Sequence, residues 1–190
     1  MSFELVAAVC HEIGNLLAGA RLLASEREPG PNGRIARSLA RAGALVALLP
    51  SLLPARLPRG GAAATEPLEV LGGLWRGIDA ADETRLRIEL RSAVDLPSVA
   101  LDRETLHHLL LAQLLAALDD GEGEVSVAAT AAPGAVCFRI QGLAPDPAAA
   151  SLLRGVAEAI LRPLGGRIER LDGPPAPGVE FWVPRAGAKP

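Results

Sequence analysis

Aromatic side chains make up only 3% of the 190 residues, cysteine occurs twice, and no uninterrupted run of 18 apolar residues exists. Few aromatics and a formal net charge of −3 leave neither the stacking surface nor the basic field by which nucleic acid is bound. Cys10 and Cys137 are too few and too ordinary in context for a disulfide framework or a metal site, and both are expected to be small core residues. With no long apolar run and no basic, apolar, small-residue leader, a soluble cytoplasmic protein without membrane contact is expected.

What is plentiful is hydrocarbon. Hydrophobic residues are 49% of the chain, enough to bury a core as one domain or as two small ones. The charge is divided. Residues 1 to 60 hold seven Arg against four Glu, a balance of +3, and the remaining 130 residues hold twelve basic against eighteen acidic, a balance of −6. A mildly positive N-terminal portion suits an acidic or phosphorylated partner, and a solvated face explains it equally.

The stretch LVAAVCHEIGNLLAGARLL, residues 5 to 23, organises the rest. At about 100° per residue, Val6, Val9, Ile13, Leu16, Leu17 and Ala20 form one apolar stripe, the mark of a helix that faces a core. Glu4, Ala8, His11, Asn15, Ala18 and Leu22 fall on the other side, so the imidazole is presented away from the packing face. Asn15 lies one turn beyond His11, roughly 40° round the axis, and Glu12 is its neighbour. A carboxylate accepting from one ring nitrogen fixes the tautomer and leaves the other nitrogen free as a nucleophile or phosphate carrier. The amide can hold a water or a phosphoryl oxygen. The plain alternative is a solvated surface histidine.

In chain order, Ser2 is the expected N-cap of this helix, which should run to about Ser25. EREPGPNG, residues 26 to 33, is a polar turn, and a second helix is expected from about Arg34 to Leu49, with Ile35, Leu39, Ala42, Leu45, Val46 and Leu49 at helical spacing. Two amphipathic helices joined by a short turn make an antiparallel hairpin with more apolar surface than it can cover alone. Pairing with a second copy gives a four-helix bundle, so a homodimer through residues 1 to 53 is expected. Pro50, Pro54 and Pro58, with Arg-Gly-Gly and an Ala run to Thr65, mark a linker over 54 to 65. The alternative there is one continuous domain with a loose loop.

Residues 66 to 190 read as mixed α/β. A short helix near Glu66 or Pro67, a strand at LRIEL (86 to 90), and a long apolar helix from about Arg103 to Leu118 come first. EVSVAAT and AVCFRI then form two strands about a Pro-Gly turn, a helix spans Pro147 to Pro163, and residues 167 to 183 close as a hairpin. Helices over one sheet, a two-layer sandwich, is the natural packing. His107 and His108 are adjacent and share no helix face, which favours structural or solvent roles over metal binding. Trp75 and Trp182 are most simply core or domain-surface anchors.

HEIGN, preceded by an apolar stretch and followed by LLAG, resembles the phosphoacceptor box of two-component sensor histidine kinases, His-Glu-Ile-x-Asn-Pro-Leu in common form. Residues 1 to 53 are similar to the dimerisation and histidine phosphotransfer hairpin, and 66 to 185 to the kinase ATP-binding domain in element order, down to LGGRIE and GVEFWVP. Departures matter more. The resemblance implies two asparagines on the long helix, one of which binds magnesium on ATP, and this chain has Ala112 and Ala116. It implies an Asp-x-Gly-x-Gly box that reads adenine, and FRIQGLAPD offers Gln141 and Gly142 without the second glycine. No glycine-rich phosphate loop is present, Pro147 follows too soon for an ATP lid, and Leu16 replaces the family's proline.

A chain that keeps the acceptor histidine and loses the nucleotide site is similar to the dimeric histidine phosphotransferases of phosphorelays. The resemblance implies transfer between aspartates of response-regulator receiver domains through His11, fed by an upstream hybrid histidine kinase, with no bound cofactor and with magnesium supplied by the receiver. Glu12 would orient the ring and Asn15 contact the phosphoryl group. Ala18, Arg21 and Leu22 would be docking contacts, or equally solvated surface. A receiver-directed phosphatase, a divergent active kinase and a non-catalytic pseudokinase scaffold are the alternatives.

Overall fold

Helix α1 (Phe3–Ser25) and helix α2 (Asn32–Leu48) form the expected hairpin, and α2 tightens into a 3-10 turn at Leu49–Leu52. The computed structural model describes residues 3–25, 32–52, 64–74, 86–90, 96–120, 124–142, 147–172 and 177–187. Ser2, the turn residues 26–31, Pro54, Pro58 and Trp75 lie outside the described residues, as does most of the expected linker.

Helix α3 (Pro67–Leu74) and strand β1 (Leu86–Leu90) are followed by helix α4 (Arg103–Asp120). Asp102 caps α4 at its start: its Oδ1 accepts from the Thr105 backbone N–H at 2.9 Å, satisfying a donor the first helical turn leaves without a partner. Strands β2 (Val125–Ala132) and β3 (Ala135–Gln141), helix α5 (Pro147–Leu161), and strands β4 (Arg167–Leu171) and β5 (Gly178–Pro184) complete the chain. A 3-10 turn at Arg162–Leu164 extends α5, and Gly165, at φ +80°, stops it where a side chain would be strained.

The five strands lie in the order β1-β2-β3-β5-β4. All neighbours are antiparallel except β1 and β2, which run parallel because α4 carries the chain over the sheet between them. The register stacks Val127 beside Ile140 and Val179, and Ala129 beside Phe138, Phe181 and Ile168. These apolar residues make the covered face of the sheet, and the expected two-layer arrangement of helices over one sheet is present.

The core is one cluster. Val9 of α1, Leu45 and Leu48 of α2, Leu71 of α3, Leu110 of α4, Phe138 and Phe181 of the sheet and Val156 of α5 all belong to it. Hairpin and sandwich thus share hydrocarbon. Their meeting point is α4, where α2 packs and where Ser51 Oγ and Thr105 Oγ1 lie 3.1 Å apart. Every residue from Leu109 to Leu118 is buried. A helix buried on all sides has no need of a polar face, and LLLAQLLAAL has almost none.

Truncating this shared centre should be costly. Leu110, at 0% exposure, is expected on substitution to Ala to lower unfolding free energy by about 3 kcal/mol in urea titrations. Leu68→Ala, at 48% exposure, should change it by less than about 0.5 kcal/mol.

Candidate functional site

The side of α1 turned to the body carries Val9 and Ala20, both buried, with Leu5, Val6, Ile13 and Leu16 packed against the core. Leu17 is 47% exposed and leaves the stripe in which helical spacing put it. It lies at the stripe's margin, where small rotations of the helix decide between core and solvent. Cys10 is likewise exposed, a correction to its expected place in the core, whereas Cys137 is buried as expected.

His11, Asn15, Ala18, Arg21 and Leu22 are all exposed. His11, Asn15, Ala18 and Leu22 stand at i, i+4, i+7 and i+11, and so occupy one strip of the outer surface. Arg21 falls on the neighbouring strip with Cys10, Gly14 and Leu17, about 100° round the axis. His11 and Asn15 therefore stand one turn apart on the same exposed line.

Glu12 has a different environment. Its Oε1 accepts a hydrogen bond from Arg41 Nη2 of α2 at 3.0 Å, and the two side chains are 22% and 6% exposed. The pair sits at the seam between the packed and the outer side of the hairpin. Helical spacing alone does not name Arg41, yet a signal was present. Arg41, Leu45 and Leu48 share one buried stripe, and a guanidinium there requires a carboxylate on the facing helix. Of the two acidic residues in α1, Glu12 is the one in its middle.

The two α4 positions at which the kinase resemblance implies asparagines carry methyl groups. Ala112 and Ala116 are 0% and 8% exposed within the core, and methyl groups offer magnesium no oxygen. Gly142 has a local reason to be glycine: its φ is +97°, and a Cβ there would come within 2.6 Å of the Glu124 carbonyl oxygen. Only four residues separate Gly142 from Pro147, where α5 starts. Among the described residues no three of His, Cys, Asp and Glu are grouped as metal ligands would be.

The remaining singled-out residues have structural surroundings. The rings of His107 and His108 meet edge to face with centroids 5.3 Å apart, and His108 Nδ1 lies 2.8 Å from the Glu104 carbonyl oxygen. Trp182 is half-buried on β5, with the Arg167 guanidinium 4.2 Å from its ring centroid. Burial, reinforced by the negative charge of Glu180 and partly offset by Arg139, pushes the Cys137 thiol up to about 11.

No protein-family model matches the chain, and no curated protein matches it in sequence. Its fold is that of histidine kinases. Full-length ShkA in complex with AMPPNP superposes with a TM-score of 0.54 at 21% identity, covering 99% of this chain and 47% of ShkA, so the chain spans less than half of that kinase. The Acinetobacter baumannii histidine kinase AdeS gives a TM-score of 0.55 at 14% identity, covering 95% of this chain and 96% of that one. The cytoplasmic segment of histidine kinase QseC gives 0.53 at 15% identity, over 84% and 97%. The likeness takes in the hairpin and the sandwich together, and relates the chain to the kinases of two-component signalling at the level of fold.

The two thiols should separate chemically. At pH 8, iodoacetamide is expected to modify the exposed Cys10 faster than the buried Cys137, because a thiol whose pKa is raised to about 11 carries almost no thiolate there. Peptide mass spectrometry over a time course reads both sites.

Proposed function

We propose that the chain is a dimeric phosphorelay carrier, in which His11 accepts a phosphoryl group from the aspartate of one receiver domain and gives it to another without drawing on ATP. The observation that carries the reading is the pairing of an exposed His11 on a kinase-like hairpin with two core methyl groups, those of Ala112 and Ala116, at the positions that would serve magnesium and ATP. A phosphorylated receiver docks along the strip of His11, Asn15, Ala18 and Leu22, with Arg21 at its border, and brings magnesium in its own acidic pocket. One ring nitrogen attacks phosphorus in line, the N–P bond forms as the P–O bond to aspartate breaks, and the carboxylate leaves as an anion. Asn15 steadies a phosphoryl oxygen. No nucleic acid enters the scheme, and the source of phosphoryl groups is a phosphorylated receiver, such as that of a hybrid kinase upstream.

Dimerisation has a surface to use. Along α2 and the 3-10 turn that follows it, Ala36, Leu39, Gly43, Val46, Ala47 and Pro50 are exposed at heptad-like spacing, and on α1 Cys10, Gly14 and Leu17 form a second exposed strip. Small residues let helices approach, and Leu39, Val46 and Leu17, each roughly half exposed, supply the hydrocarbon. Two stretches, Glu4–Leu22 and Ile35–Leu52, have the length and hydropathy of membrane spans. The Glu12–Arg41 ion pair and exposed His11 within them favour a hairpin packed on protein in the cytoplasm.

A receiver-directed phosphatase is the second reading. It rests on the exposed amide of Asn15, one turn from His11, which can hold an attacking water in place of a phosphoryl oxygen.

Two measurements test the proposal. Radiolabel is expected to reach the wild-type chain from phosphorylated receiver domains and to fall at least about 100-fold in His11→Ala, with no label from magnesium ATP alone; labelling by ATP alone would make the chain a kinase, and receiver phosphate lost as inorganic phosphate with no labelled intermediate would make it a phosphatase. Light scattering should give twice 19.6 kDa for the wild type and 19.6 kDa for Leu39→Glu/Val46→Glu.

A further inference from the structure

Arg41 is a charged side chain in a place where hydrocarbon would normally stand. Only 5% of the residue is exposed, and it shares its stripe of α2 with Leu45 and Leu48, which are sealed in the core. A guanidinium removed from water is destabilising unless it is held by a fixed anion. Among the described residues Glu12, the residue after His11, supplies such an anion, reached across the hairpin at 3.0 Å. A pair whose only task was to join α1 to α2 could stand anywhere along the hairpin, and two apolar side chains would do it without the cost of burying charge. This one stands at the turn of α1 that carries the acceptor histidine.

We infer that Arg41 is a positioning residue for phosphoryl transfer at His11, an inference that rests on the carrier reading. A glutamate has three side-chain torsions, and one at the seam of a hairpin would otherwise sample solvent. The Arg41 guanidinium engages Oε1 and anchors the carboxylate at the base of the outer strip, which leaves Oε2 as the oxygen available to the ring. As one ring nitrogen bonds to phosphorus and the aspartyl P–O bond breaks, positive charge builds on the imidazole. The proton on the other nitrogen stays in place, held by Glu12 Oε2. Arg41 touches neither the phosphoryl group nor the ring and acts only through the placement of Glu12.

The test uses the full chain and two phosphoryl donors, phosphorylated receiver domains and phosphoramidate. The second transfers its phosphoryl group to imidazole as its P–N bond breaks and ammonia leaves, so it reports on His11 without any receiver. Rates of label at the His11 peptide are compared among wild type, Arg41→Met, Arg41→Lys, Glu12→Gln and Arg41→Met/Glu12→Gln, with circular dichroism and mass as checks of fold. Arg41→Met is expected to slow both donors about tenfold or more, Arg41→Lys to recover most of the rate, and the double variant to be no slower than Glu12→Gln alone. A folded Arg41→Met with the wild-type rate would overturn the inference, and so would a loss that multiplies in full with that of Glu12→Gln.

Should Arg41→Met fail to fold, Arg41→Gln, which keeps hydrogen bonding without the charge, makes the same comparison with and without Glu12→Gln. An Arg41→Gln as fast as wild type, or slower than Glu12→Gln alone when the two are combined, would then overturn the inference. Wild type labelled by phosphoramidate and by no receiver would end the carrier reading and leave the Arg41 comparison standing. Label from neither donor would end both.

Discussion

The burial of α4 on every side from Leu109 to Leu118 is the constraint on which the rest of the molecule depends. A helix without a polar face is tolerated only where two bodies cover it, and here the sheet takes one side and the hairpin the other. Remove the hairpin and a strip of leucine and alanine faces water; remove the sheet and the other strip does. The methyl groups of Ala112 and Ala116 belong to the same logic, since amides sunk in that core would need partners that hydrocarbon does not offer. Both alanines are part of the core that hairpin and sheet share.

Much of this was legible in the order of residues. The 3.6-residue repeat of Val9, Ile13, Leu16 and Ala20 gives α1 its buried side, and because His11, Asn15 and Ala18 lie opposite, their exposure follows from geometry alone. The alternation of LRIEL and the Pro-Gly turn between β2 and β3 gave the strands to within a residue or two. What was not legible is non-local. The parallel pairing of β1 with β2 needs knowledge of which side α4 crosses, and the seat of α2 on α4 needs two segments that lie more than 50 residues apart. Leu17 and Cys10 show the limit of a helical wheel, which gives angles to a stripe's margin but not the position of the neighbour that ends it.

The candidate site divides in the same way. The identity of His11, Glu12 and Asn15 as a group came from spacing and from the family's box, whereas the partner that holds Glu12 came only from the fold. An arginine within an apolar stripe looks, in sequence, like a residue that snorkels to solvent; in the structure it is sealed against a carboxylate. The outer strip of α1 is therefore a surface of small and polar groups with a tethered carboxylate, Glu12, at its border.

The sheet ends at β4, and its border is guarded. Arg167, Glu169 and Arg170 are exposed along that strand, with Arg167 paired to Glu169 at 2.9 Å and Arg170 to Asp172 at 2.6 Å. A free strand edge is a template for another strand, and a row of hydrated charges makes such addition unfavourable. Growth by sheet extension is disfavoured on that side, a safeguard against fibrils in a chain that is nearly half hydrophobic.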